Sequence, residues 1–399
     1  MSGALRRSAS LGRAVPLALG AVALAGGLWG ALLLLGFPQA APPVQLAVNH
    51  GPLMALGFLG TLIALERAVA LGRPWGYGAP ISAGLGAAAI VTGMPEGVGQ
   101  TLLGLAAVLL LAVYLVLFRA EPLLHVGTQA IGAAAWVGAA ILWLGGLGVP
   151  ALVPWLAAFL VLTVVGERLE LSRLARRTPR ARRAFIVLAT TIALGTIVSV
   201  ASLDLGTRLV GLGFAGTALW LGANDIARRT VRARGVTRFI AICLLSGFAW
   251  LGVGGLIWAL GGAAGGPAYD ARIHAIFLGF VISLVFGHAM VIVPAVLRLA
   301  LPYRSRFYGH LVLLQVGLVL RLGAGDLLGS RTGWQLGGVL NELALLVFVG
   351  SSAMAAVTGR RSLARGPQSL SAATAREPGD APEGSPEPGM ARAIRGART

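Results

Sequence analysis

The chain has 399 residues, 57% hydrophobic and only 12% charged, and its net charge of +18 comes from arginine because lysine is absent. In a soluble protein that charge would suggest nucleic acid. Here the arginines cluster in short breaks between apolar runs of about 20 residues, the length a helix needs to cross a hydrocarbon core of about 30 Å, so they report topology and not a nucleic-acid partner. The single cysteine, Cys243, excludes an intrachain disulfide and a cysteine metal cluster.

Taken in chain order, the apolar windows predict an all-α polytopic membrane bundle of about 12 transmembrane helices. They fall at residues 14–36, 50–71, 79–96, 101–118, 125–146, 149–168, 184–203, 207–225, 238–260, 271–297, 309–328 and 333–357. Residues 1–13, with Arg6, Arg7 and Arg13, read as a cytoplasmic N-terminal segment before a first span that is retained, since no small-residue cleavage site follows it. The bundle proper is 14–357. Residues 358–399, with "REPGDAPEGSPEPG", read as a disordered cytoplasmic tail.

With the N-terminus in the cytoplasm, only Arg208, Arg272 and Arg331 among the arginines of the connections fall outside. The expected location is therefore the cell's inner membrane, multi-pass, with both termini cytoplasmic and the lipid bilayer as the first partner. The 58 glycines are spread through the spans and imply close helix packing. Glu66 and Glu167 close the second and sixth spans, and Gly57–Phe58 recurs as Gly279–Phe280 in the tenth. These matches suggest three four-helix units.

The second span opens with "NHGPLMALGF" and the tenth with "RIHAIFLGF", which puts His50 and His274 in the same outer layer. His288 follows His274 by nearly four turns, about 21 Å deeper on almost the same face of a regular helix, too far to share one small site. His125 and His310 begin the fifth and eleventh spans at the inner edge. Two opposed imidazoles suit a six-coordinate, low-spin haem. Met54, Phe58, Ile276, Phe277 and Phe280 would pack against the ring, and Arg272 would neutralise a propionate. The structural alternative is that these histidines sit at the interface and hydrogen-bond the backbone.

Arg321 and Glu342 lie at similar depth in the last two spans, and an ion pair between them is the leading expectation. A proton or anion route, or an Arg321 contact to a propionate, is the functional alternative. Glu66–Arg67 and Glu167–Arg168 are expected to snorkel to the headgroups or pair between helices, and Asn224–Asp225 to cap the eighth span. No Walker A loop, Rossmann fingerprint or HExxH motif is present.

The two motifs "NHGPLMALGF" and "RIHAIFLGF", set in a chain of about twelve spans, resemble those of the haem-copper oxidase subunit I superfamily and its NnrS-type relatives. The resemblance implies a low-spin haem b held by His50 and His274, and, through the NnrS-type proteins, a role in nitric-oxide tolerance. It departs from the oxidase pattern in lacking histidines in the sixth and seventh spans, so copper and oxygen reduction are not expected. Whether the protein is an enzyme stays open. The leading reading is a haem protein for electron transfer, with a redox partner, or for nitric-oxide sensing or handling. The alternatives are a haem-free proton-coupled transporter using Arg321, Glu342 and His288, and a membrane assembly factor.

Overall fold

The computed structural model describes residues 3–37, 46–171, 178–297 and 302–365, and all regular structure within them is helical. We number the long helices α1 (Gly3–Leu34), α2 (His50–Leu71), α3 (Gly78–Val91), α4 (Glu96–Ala120), α5 (Leu124–Leu144), α6 (Val149–Leu171), α7 (Pro179–Ala201), α8 (Leu203–Asn224) and α9 (Gly235–Gly261). Three successive segments, Gly266–His274, Ala275–Ile282 and Ser283–Leu297, make up α10, followed by α11 (Phe307–Leu327) and α12 (Arg331–Arg365).

Ten of the helices among the described residues are long and apolar enough to cross a membrane. The molecule is an all-α, multi-pass membrane bundle. The other two fall within expected windows. At 14 residues, α3 rises only about 21 Å, short of a core of about 30 Å, and α8 carries Asp204 and Arg208 in its opening turns. Two expected boundaries move. Helix begins at Gly3, although the membrane-compatible part starts at Gly12. At the other end α12 runs to Arg365, past the expected limit of 357, and the rest of the expected tail, 366–399, lies outside the described residues.

Local chemistry sets several ends. The Thr178 side chain accepts from the Ala181 amide, and Pro179 stands in the first turn of α7, where its missing N–H is not needed. Gly72, at φ 68°, closes α2 in the left-handed conformation that glycine adopts without steric penalty.

Lipid tails are as apolar as leucine, so dispersion between close-packed helices must hold such a bundle together. Glycine makes that approach possible. A Cβ on Gly57 would lie 2.8 Å from the Cβ of Ala87, and one on Gly60 would lie 2.7 Å from the Trp136 ring. Trp136 in turn packs on Phe159 at 4.8 Å between centroids.

Three helices depart from α geometry over one stretch each. Residues Leu53–Gly60 of α2, Ala275–Ile282 of α10 and Val319–Leu327 of α11 are π-helical. Each π turn takes in an extra residue and weakens local hydrogen-bond economy, which is why such turns are usually single and gather at functional sites. The first two begin three residues after His50 and one residue after His274.

Candidate functional site

A cavity of about 440 Å³ lies among α1, α2, α6, α10, α11 and α12, and all three π segments contribute to its wall. Its size falls within the roughly 300–1,000 Å³ usual for sites that hold small molecules and cofactors. Leu59, Val153, Leu278 and Ile282 give it apolar sides; the polar groups on it are His50, His274, Tyr269, Arg321, Asn341 and Glu342.

The two histidines are held in the same manner. His50 Nδ1 lies 2.7 Å from the Gly27 carbonyl of α1. His274 Nδ1 lies 2.8 Å from the Asp270 carbonyl one turn earlier, and 3.3 Å from Asp270 Oδ1. A carbonyl oxygen can only accept, so each Nδ1 must carry the proton and donate it. Neutral imidazole then has its lone pair on Nε2, and among the described residues no group hydrogen-bonds either Nε2. Both rings are therefore anchored at one nitrogen and available at the other.

The His50 anchor depends on close approach of α1. A Cβ on Gly27 would come within 2.5 Å of Met54 Sδ, and one on Gly30 within 2.3 Å of the Leu46 carbonyl and 3.3 Å of His50 Cβ. Only glycine lets the Gly27 carbonyl reach the ring. Of the side chains expected to face a planar cofactor, Met54 and Phe277 line the cavity; Phe58, Ile276 and Phe280 are buried elsewhere in the core.

The expected Arg321–Glu342 ion pair is not formed, although both residues line the cavity. Arg321 instead makes a bidentate pair with Asp270, Nε to Oδ2 at 2.7 Å and Nη2 to Oδ1 at 2.8 Å, and Trp334 Nε1 donates to the same carboxylate at 3.2 Å. The reason is that α10 starts at Gly266, so Asp270 lies within the helix and faces the π segment of α11. Glu342, nine-tenths buried, leaves Oε1 without a partner, and both amide atoms of buried Asn341 are unpartnered.

Arg272 does not line the cavity. It is buried behind Tyr269, whose ring lies 4.9 Å away, donates to the Gly262 carbonyl and approaches Trp258 at 5.8 Å. Arg321, by contrast, lines the cavity, and its Nη1 makes no hydrogen bond among the described residues. His288 is buried and also off the cavity, with Nε2 unpartnered. The π segment between His274 and His288 changes the helical phase, so the face shared on a regular count is not kept.

At the arginine-rich end charges pair between helices, one of the two arrangements expected for them. Arg168 is buried in a bidentate pair with Asp225, both bonds 3.0 Å, and Asp225 also caps the Ala227 amide at 2.8 Å. Arg67 pairs with Glu66 and with Glu170 at 3.5 Å, and Glu167 is buried beside Arg168. His125 is buried at the start of α5. His310 is enclosed by rings, with Phe286 at 4.5 Å, Phe348 at 5.3 Å, Phe307 at 5.8 Å and Phe239 at 6.0 Å, and neither of its nitrogens has a partner.

Sequence reasoning missed Asp270, Asn341 and Gly27. Asp270 had a usable signal, since an acid four residues before a histidine shares its helical face. Gly27 had none, because a glycine in a glycine-rich chain does not reveal what its carbonyl meets.

The family described as "Domain of unknown function (DUF8744)" matches residues 13–357. The chain belongs to this family. In this DUF8744 member the matched stretch contains every cavity residue and all five histidines. No curated protein matches the chain.

Proposed function

We propose that this protein is a membrane cytochrome in which His50 and His274 hold one haem b for electron transfer. The observation that carries this reading is the pair of imidazoles on one cavity, each with Nδ1 committed to a main-chain carbonyl and Nε2 left open. Histidines that ligate metals are normally fixed in this way, because the second hydrogen bond sets both tautomer and orientation.

The surrounding residues fit the group. Among the described residues no cluster of three or more His, Cys, Asp or Glu is arranged to hold a metal ion, so two histidines suit an iron whose other ligands come from a macrocycle. Leu59, Val153 and Phe277 supply apolar wall, and Arg321 Nη1 is available to a carboxylate at the edge. His50 and His274 would hold the haem, which would supply a one-electron couple suited to electron transfer. Nitric-oxide handling would require one histidine to leave. The arginine-rich end is taken as cytoplasmic, with the cavity near the opposite side of the inner membrane.

A haem-free proton-coupled transporter is the second reading. It is favoured by unpartnered Glu342 and Asn341 on the cavity wall, where buried polar groups are expensive and usually functional. Visible spectra of detergent-purified protein, oxidised and dithionite-reduced, separate the two. Stoichiometric low-spin haem that His50→Ala or His274→Ala abolishes is the expected result. Colourless, folded protein from haem-replete cells overturns the cytochrome reading in favour of transport.

A further inference from the structure

The two candidate ligands differ in what holds them. His50 donates to a neutral peptide carbonyl on another helix. His274 donates to the carbonyl of Asp270 and also lies 3.3 Å from its carboxylate. That carboxylate is held from two further helices, by Arg321 of α11 at 2.7 and 2.8 Å and by Trp334 of α12 at 3.2 Å. The Arg321 position is itself built. A Cβ on Gly337 would lie 2.5 Å from its backbone nitrogen, and one on Gly338 would lie 3.0 Å from Nη1. Neutralising Arg321 does not require the acid to stand one turn before a histidine, on the same face, yet Asp270 does.

We infer that Asp270 is a positioning residue for His274, making it the more electron-rich of the two imidazoles and, with Arg321, setting the reduction potential of the site. The inference rests on the haem reading above. A carboxylate beside Nδ1–H raises the basicity of Nε2, which favours the oxidised metal. Arg321 engages both carboxylate oxygens and moderates that effect. Loss of the Asp270 charge therefore raises the potential, and loss of the Arg321 charge lowers it.

The test is a redox titration of full-length, haem-loaded protein in detergent, comparing the natural chain with Asp270→Asn, Arg321→Gln and Asp326→Asn. Asp326, whose carboxyl lies against that of Asp270, controls for a change at a neighbouring carboxyl that does not contact His274. At the natural midpoint Asp270→Asn should be about tenfold more reduced, a rise of about 59 mV for one electron. Arg321→Gln should move the opposite way, and Asp326→Asn should move less than half as far as Asp270→Asn. Should Asp270→Asn not fold, Arg321→Gln carries the test by the sign of its shift. Unchanged midpoints, shifts of the same sign, or an equal shift in Asp326→Asn overturn the inference while the haem reading stands. A natural chain that binds no haem removes both.

Discussion

The cavity histidines and His310 show the same side chain in two settings. His50 and His274 each spend one nitrogen on a carbonyl and turn the other toward a cavity wall. His310 spends neither, and four phenylalanine rings surround it. At His310 two buried polar atoms go without partners, which costs free energy. In the first setting, both rings line a space large enough for a ligand; in the second, aromatic packing fills the space. Burial is common to both settings; what separates them is a half-satisfied imidazole beside a cavity.

The largest expected break in this contrast is spectral. His50→Ala or His274→Ala should remove all low-spin haem absorption, whereas His310→Phe should retain it in full, measured as haem per polypeptide. Next comes Asp225→Asn, which takes the charge from the buried bidentate pair with Arg168. It should cost about 3–5 kcal/mol in detergent unfolding without shifting the absorption maximum. Gly27→Val forces a side chain into Met54 and lifts α1 from His50. A destabilisation of about 1–3 kcal/mol with reduced haem occupancy is expected, while Gly222→Ala, with nothing near its Cβ, should be neutral. A small effect is expected of His310→Phe, less than about 1.5 kcal/mol either way by thermal unfolding, since two unpartnered nitrogens disappear along with some shape complementarity.

Depth was legible in the sequence and direction was not. Counting residues from the start of each apolar run placed His50 and His274 at one level, because rise per residue is nearly constant in a helix. The same count put Arg321 and Glu342 level, and there it misled. Level residues pair only if they also face each other, and the facing partner was Asp270. That residue escaped notice because the tenth window was started at 271, one position too late to include it; apolarity marks where lipid begins, not where hydrogen bonding does. Of the two expectations for the arginines near helix ends, pairing between helices is the one found. Arg67 and Arg168 stand near helix ends in sequence, yet neighbouring helices cover them and supply acids.

The π segments have a consequence for how this chain can be aligned and altered. Each is in effect one residue inserted into a regular helix, so the two halves of α2, α10 and α11 are out of step with one another. Removing a single residue from Ala275–Ile282 should restore an ordinary helix and rotate the His274 end by about 100° relative to the Ser283–Leu297 end, one residue's turn at 3.6 per turn. The cavity can thus be lost through a deletion that changes no residue lying beyond that segment, and a comparison of related chains that permits no one-residue gap there would superpose the wrong faces.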